Sequence, residues 1–566
     1  MAKPPVPDPV SQSGLQSRGW DALTVGLAAI IALPVVTVLL HVFMPAGDVW
    51  THLRETVLTT YLVNSLVLIV GVGLGVLVIG TGTAWLIVMY RFPGHTLLQW
   101  ALLLPLAVPT YVIAYAYTDL LQFAGPVQTA LRDAFAWQRG DYWFPEVRSL
   151  GGAVTLLTLV LYPYVYILAR AAFLEQSVCA LEVGRTLGRS PWQVFTGVAV
   201  PLARPAIAGG VALALMETLN DFGAMQFFGV DTFTTGIYRT WFGLGEQVAA
   251  AQLAACLLIV VLLLVLLERW SRGRAAYHHT SARYRALPRQ PLRGSAAALA
   301  LCACGLPVLL GFLLPAGLLL EMHLREGDPL FGIRFARFAR NSLLLGLVTA
   351  GLAVLLALII AYGVRLQRSP LRRAAARLAA MGYAIPGSVV AVGVLIPLSA
   401  MDRQINHWMD LWTGQLPGLI LTGTAAALVY AYLVRFLSVS YNTVEASLGK
   451  VTPGMDAAAR TLGRSAGATL REVHAPIMRG SLLAAGILVF VDVMKELPAT
   501  IILRPFNFDT LAVRAFELAS DERLAQASTS ALAIVAVGIL PVILLSLAMS
   551  RSRPGAGTQT AALPAG

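Results

Sequence analysis

Charge is what this chain has least of. Only 12% of its 566 residues are Asp, Glu, Lys or Arg, against 57% hydrophobic residues, and the mean hydropathy is +0.72. No soluble fold of this size hides that much apolar surface, so a soluble globular protein is excluded. Cysteine is scarce as well. Cys179 stands alone, Cys256 lies inside an apolar run, and Cys302 and Cys304 are two apart, pointing in different directions on a helix. That excludes a disulfide framework and makes a poor metal clip, so the four read as small buried hydrophobes. No Gly-rich loop ending in Lys-Ser or Lys-Thr occurs, so this chain does not bind ATP in the Walker manner. No nucleophile-and-base constellation stands out, and the sequence points away from an enzyme. The net charge of +12 does not indicate nucleic acid either, because the basic residues lie between apolar runs and form no stripe.

What the chain has in abundance is long apolar runs, many of about 20 residues or more, enough to cross a bilayer core as helix. They predict an all-α polytopic membrane protein with about twelve spans, six per half. In the first half they fall near 20–44, 60–89, 97–122, 151–173, 204–228 and 248–269. In the second they fall near 296–320, 339–366, 376–399, 416–437, 481–504 and 526–549. The first run is too long for a signal-peptide core and no small-residue cleavage site follows it, so it reads as a retained span. The expected layout is a disordered tail at 1–19, a first half at 20–270, a basic linker at 271–295, a second half at 296–550 and a tail at 551–566. Arg91, the Arg269 to Arg293 linker and Arg368 fall on one side of the membrane. The opposite loops mix signs, as with Arg132, Asp133, Arg139, Asp141, Glu146 and Arg148. The positive-inside rule makes the basic side, with both termini, cytoplasmic.

One signature occurs twice, about 275 residues apart. Arg185-Thr-Leu-Gly-Arg-Ser190 recurs letter for letter as Arg460-Thr-Leu-Gly-Arg-Ser465, followed by Pro201 and Arg204 in one copy and Pro476 and Arg479 in the other. Such a repeat means a duplicated unit. Asn64-Ser65 pairs with Asn341-Ser342, Pro109 with Pro386 and Arg239 with Arg514. Each signature reads as helix, tight stop, helix. Gly188 and Gly463 take the left-handed conformation at the stop, Ser190 and Ser465 cap the next helix, and Pro191 opens it in the first copy. Thr452 and Pro453 start the first helix of the second copy. Both copies face the cytoplasmic side as compact knobs.

These residues resemble the coupling loop of ABC importer permeases, a pattern that opens Glu-Ala-Ala, continues to Gly and ends near Pro. The resemblance implies a type I importer permease fold and an ATPase dimer docked on the knobs. Its contact positions here are Glu182, Arg185, Gly188 and Arg189, and Ala457, Arg460, Gly463 and Arg464. The first copy departs with Val183-Gly184 in place of two alanines. The second has Ala457 for the acid, with Asp456 one position early. Met216-Glu-Thr-Leu-Asn-Asp-Phe-Gly223 with the following stretch to Thr235, and Val493-Met-Lys-Glu-Leu-Pro-Ala-Thr500 with the stretch to Thr510, are similar to the fused permeases of bacterial ferric-iron importers. By that resemblance the substrate is ferric iron brought by a periplasmic binding protein, ATP and Mg are bound by the partner ATPase, and the chain itself holds no cofactor. The loops Asp231 to Thr235 and Asn507 to Thr510 are the expected docking places. Fused permeases for thiamine and for aminoethylphosphonate share the architecture, and a secondary transporter is the rival class. A secondary carrier has no need of paired knobs.

Glu217 and Asp221 interrupt the fifth apolar run, and Asp492, Lys495 and Glu496 the eleventh. Intramembrane charges are costly, so they line a path or pair internally. The offset superposes Glu217 on Asp492, Asn220 on Lys495 and Asp221 on Glu496. Spacings of four put each acid pair on one helical face. The expectation is an acidic constriction, with Glu217, Asp221, Asp492 and Glu496 as oxygen donors for passing ferric ion. The competing reading has Lys495 neutralise the acids and lock the halves together. Tyr162, Tyr164 and Tyr166 read as packing, and His278-His279 as solvated linker residues.

Overall fold

Backbone groups in hydrocarbon must be satisfied within the chain, and this sequence does it with helices. The structure, a computed structural model, describes residues 14–45, 47–175, 188, 190–272, 289–329, 331–366, 369–449 and 451–551. The first half runs α1 (Gly14–His41), α2 (Gly47–Thr56), α3 (Leu58–Met89), α4 (His95–Ala101), α5 (Thr110–Leu121), α6 (Pro126–Phe135), α7 (Leu150–Glu175), α8 (Pro191–Asn220), α9 (Gly223–Phe228), α10 (Phe233–Tyr238) and α11 (Gln247–Arg272). The second runs α12 (Gly294–Arg325), α13 (Ile333–Leu366), α14 (Pro370–Ala379), α15 (Gly387–Thr413), α16 (Ala425–Leu448), α17 (Pro453–Thr461), α18 (Ala466–Met494), α19 (Pro498–Leu503), α20 (Leu511–Ser520) and α21 (Leu524–Arg551).

Among the described residues, ten helices are long and apolar enough to cross a membrane, and a pair bent by 94° between Ala107 and Thr110 makes an eleventh. The bend explains why the expected span 97–122 is not one helix: Pro105 and Pro109 interrupt it. The α16 helix is not apolar enough to count among these, and it takes the place in the second half that α7 takes in the first. It begins at Ala425 rather than near 416. The α1 helix begins at Gly14, inside the segment expected to be a disordered tail. Cys256, Cys302 and Cys304 are free thiols, while Cys179 and the pair His278-His279 lie outside the described residues.

The halves are interleaved. One apolar core joins α3, α4, α5, α7, α8 and α9 with α12, α20 and α21, and the other joins α13 to α16, α18 and α19 with α1, α10 and α11. The first helix of each half therefore packs on the opposite half. Close backbone approach makes this possible: a Cβ on Gly393 of α15 would collide with the Pro34 carbonyl of α1, and one on Gly311 of α12 with the Leu159 carbonyl of α7. The exchange is pinned on the knob side. The buried Arg372 of α14 donates to Asp21 of α1 and, at 2.8 Å, to the Gly363 carbonyl. The end of the linker, Gln290–Pro291, pairs in parallel with Tyr90–Arg91 of the first half, and the Leu292 N–H donates to the Arg91 carbonyl at 2.9 Å.

Candidate functional site

The charged residues of the fifth and eleventh runs sit where helices break. In the first half α8 ends at Asn220, and Asp221 is extended at φ −67° and ψ 120°. In the second α18 ends at Met494, and Pro498 opens α19. The four-residue helical spacing therefore does not carry through to the second acid of either pair. Asp221 and Glu496 instead cap the short helices that follow. The Ala224 N–H donates to Asp221 Oδ1 at 2.9 Å. At the matching place the Ala499 N–H donates to Glu496 Oε1 at 3.0 Å, and the Thr500 N–H to its Oε2 at 3.0 Å. The Thr110 hydroxyl also donates to Asp221, and the Thr500 hydroxyl to Glu496 at 2.7 Å.

The centre of the site is a residue that the sequence pattern does not single out. Arg435 of α16 is 4% exposed and bridges acids from both halves, at 3.0 Å to Glu496 and 3.9 Å to Glu217. A single arginine inside the tenth apolar run is the available signal, and Arg170 inside the fourth is another. Lys495 pairs with Asp492 at 3.1 Å, as the internal-pairing reading expects. Two further polar contacts cross between the halves here. The Gly387 N–H donates to Asn220 Oδ1 at 2.7 Å, and the Tyr164 and Tyr383 hydroxyls lie 3.4 Å apart. Tyr164 is thus a site residue, whereas Tyr162 is buried and Tyr166 donates to the Gln99 carbonyl at 2.8 Å.

Glu217, Asp221, Asp492, Lys495, Glu496 and Arg435 all line one cavity of about 90 Å³ at the junction of the halves. Its acidic and basic lining is four carboxylates against two cations. A second cavity of about 630 Å³ shares Tyr164, Tyr383, Asp492 and Lys495 with it and extends past Ile167, Asn442 and Glu268. Those three lie on the turns of α7, α16 and α11 nearer the knobs, so the larger space opens between the acid site and the knob side. Away from the knobs, buried Phe222 closes the small cavity, its ring 4.9 Å from Tyr238 and 5.6 Å from Phe516. Among the described residues, no three His, Cys, Asp or Glu are grouped to hold a metal ion. In this conformation the four acids expected as ferric donors are taken up by caps and ion pairs.

Where both knobs are described, at the glycine stop and in the helix after it, they share one geometry. Gly188 and Gly463 have φ of +74° and +73°, the left-handed stop expected of both. Ser190 accepts from the Gln193 N–H at 3.3 Å and Ser465 from the Ala468 N–H at 3.3 Å. Each following helix then carries a π-type turn at the same place, Phe195–Ala199 and Leu470–His474. Glu182, Arg185, Arg189 and the side chain of Arg460 lie outside the described residues. Ala457 lies on α17, and Arg464 pairs with Glu472 at 3.2 Å. Asp456 is held from within: Arg365 reaches its Oδ2 at 3.0 and 2.7 Å, and buried His474 lies 2.6 Å from its Oδ1.

On the other side, matched asparagines pin matched loops. Asn64 donates to the Asp231 carbonyl at 2.8 Å and Asn341 to the Asp509 carbonyl at 3.0 Å. This register separates Arg239 from Arg514, which the sequence had paired. Arg239 bonds Asp231 at 2.5 Å, whereas Arg514 bonds Asp328 at 3.2 Å.

Residues 71–274 match a family described as the binding-protein-dependent transport system inner membrane component. The chain is similar to the Fe(3+)-transport system permease protein FbpB 2 of Haemophilus influenzae, with 27% identity across 92% of this chain and 97% of that one. It is similar also to the molybdenum transport system permease protein ModB of Escherichia coli, 28% identical over 38% of this chain and 92% of that one. A third relative is a putative 2-aminoethylphosphonate transport system permease protein, PhnU of Salmonella paratyphi A, 29% identical over 32% of this chain and 63% of that one.

Proposed function

We propose, for this two-half permease of the binding-protein-dependent inner-membrane class, that it carries ferric iron inward by ATP-driven alternating access. The observation that carries the reading is the charge of the cavity between the halves. Four carboxylates against two cations leave an excess of two negative charges in a site walled by apolar helices. Such a site favours a cation over an oxyanion, because a charge in low dielectric is tolerated only beside its opposite. That supports ferric iron over molybdate, sulfate or a phosphonate, and near-end-to-end similarity to a ferric permease points the same way. Thiamine, also a cation, remains the second reading on charge alone.

In this scheme a loaded binding protein docks on the side of Asp231 and Asp509, and an ATPase dimer holds the knobs at Gly188 and Gly463 on the cytoplasmic side, where both termini also lie. The permease binds no nucleotide; Mg and ATP sit on its partner. The larger cavity faces the knobs and the aromatic closure at Phe222 seals the opposite side, an arrangement suited to release inward. ATP-driven closure of the knob side would open the other. Passing cargo has to take a carboxylate from Arg435 or Lys495, so contact with the ion is transient.

The test is ATP turnover by the reconstituted permease and ATPase with binding protein loaded with ferric ion, thiamine or molybdate. Stimulation by the ferric form alone is the expected result. Stimulation by the thiamine or molybdate form keeps the importer and replaces its cargo. Uptake driven by an ion gradient without the ATPase overturns the mechanism.

A further inference from the structure

The α13 helix has 34 residues, so at 1.5 Å per residue it is about 51 Å long against a hydrocarbon core of about 30 Å. It must project beyond the core. Its exposed apolar residues Leu344, Leu347, Val348 and Leu355 share one face, which is the face presented to lipid. The same stripe continues upward, away from the knobs, at helical spacings of three and four residues: Leu344, then Arg340, Arg337 and Ile333. Arg340 and Arg337 lie about 6 and 10 Å along the axis beyond Leu344. That is headgroup depth, and Arg334 lies at its margin.

All three arginines are exposed, and among the described residues none of them is in an ion pair. The neighbouring segment carries exposed Leu324, Phe331 and Ile333, so apolar anchors and cations alternate at one level, as interfacial segments do. Three unpaired arginines on the side opposite the basic knobs run against the charge bias of membrane loops, and the lipid-facing stripe gives them a ligand. The first half has no counterpart: in the register of Asn64 and Asn341, the matching residues are Val57, just before α3, and Thr60 and Val63 on it.

We propose that Arg337 and Arg340, flanked by Arg334, form a binding site for the phosphate of an anionic phospholipid in the leaflet opposite the knobs. The acyl chains lie along Leu344, Leu347 and Val348. Two guanidinium groups one helical turn apart grip one phosphodiester, and arginine is suited to phosphate because its planar fork donates two parallel hydrogen bonds. The site belongs to the second half alone and does not depend on the nature of the cargo.

The experiment is native mass spectrometry of the delipidated full-length permease with phosphatidylglycerol, and with phosphatidylcholine of the same chains as the control. The wild type should prefer phosphatidylglycerol. R337Q/R340Q should bind it about thirtyfold more weakly, five- to sixfold per arginine. Binding of phosphatidylcholine and the melting temperature should be unchanged, since both positions are exposed. Phosphatidylglycerol affinity within twofold of wild type in the double variant overturns the site. So does an equal loss for both lipids, which would mark an apolar groove. So does an unchanged lipid affinity with lost docking of the purified binding protein, which would make the stripe a protein-docking surface.

Discussion

The two halves agree at their breaks and differ at their charges. Asp221 and Glu496 cap matched short helices, Gly188 and Gly463 stop matched knobs within 1° of φ, and Asn64 and Asn341 pin matched loops. Yet the cavity cations Arg435 and Lys495 both come from the second half, where the first half has Val160 and Asn220. Duplication thus preserved the backbone frame, which needs particular residues at a few turns. It released the lining, where one half came to neutralise acids from both. A symmetric set of acids is consequently held by an asymmetric set of bases.

The most damaging way to break that asymmetry is Arg435→Met, which gives the second half the apolar character of Val160. It leaves Glu496 buried with its helix-cap donors but no cation, a loss that typically costs about 3–5 kcal/mol. The expected outcome is a large fall in the melting temperature of the purified permease and loss of transport. Adding Glu496→Gln to the same chain should recover more than half of the lost stability. A double variant as unstable as the single would show that Arg435 acts by packing rather than by charge.

The knobs give the next contrast. Asp456 is clamped by Arg365 and His474 in the second half, and the first half has Leu181, Val88 and Ala199 at the matching places. An acid one position early in the signature is therefore an internal tie of the permease. Asp456→Asn keeps the shape and loses the ion pair with Arg365, which is mostly buried; hydrogen bonds to a charged group contribute about 1.5–3 kcal/mol. ATPase stimulation by loaded binding protein should drop about tenfold while basal turnover of the complex stays. Leu181→Asn should leave coupling intact, and equal damage from both substitutions would contradict the contrast.

Much of this frame is legible in the sequence because it rests on residues with few substitutes. A left-handed stop needs Gly, a cap needs Ser, and a mid-membrane bend needs Pro, so the knobs and the broken helices can be read from Gly188, Ser190, Pro109 and Pro386. The bases of the site are harder. Arg435 stands alone in an apolar run, and its partners lie 61 and 218 positions away, so no local spacing connects them. The capping roles of Asp221 and Glu496 are hidden because a period of four looks the same whether the helix continues or ends. The exchange of first helices is illegible for a related reason: it rests on close approaches such as Gly393 to Pro34, which carry no pattern along the chain.

Gly188→Val and Gly463→Val test what the halves share. A Cβ added at either glycine meets nothing within 4 Å among the described residues, so the penalty is conformational, about 1–2 kcal/mol for a left-handed residue. Both variants should fold, with melting temperatures close to wild type, and each should lower stimulated ATPase turnover several-fold. Because the two glycines have nearly the same φ, their effects should match within a factor of two. A tenfold difference would mean that the knobs do not share the coupling equally.

The smallest expected effect comes from Lys495→Asn, which restores the first-half residue at the one charged position where the second half departs only slightly. Lys495 and Asp492 are partly exposed to the cavity and 3.1 Å apart, so breaking their pair should cost the fold less than breaking the more deeply buried pair of Arg435 and Glu496. Its effect on the cavity is larger than its effect on stability, because the excess of negative charge rises from two to three. If the acids draw a cation through the site, the variant should hold its cargo longer, lowering the maximal transport rate a few-fold without raising the concentration for half-maximal uptake. If the cargo is instead an oxyanion, Lys495 is one of the two cations that line the cavity among the described residues, and uptake should weaken at every concentration. The same substitution therefore moves two kinetic constants in different ways for the two cargo classes. The answer comes from the half that carries the bases, and it separates cation from oxyanion whichever binding protein delivers the cargo.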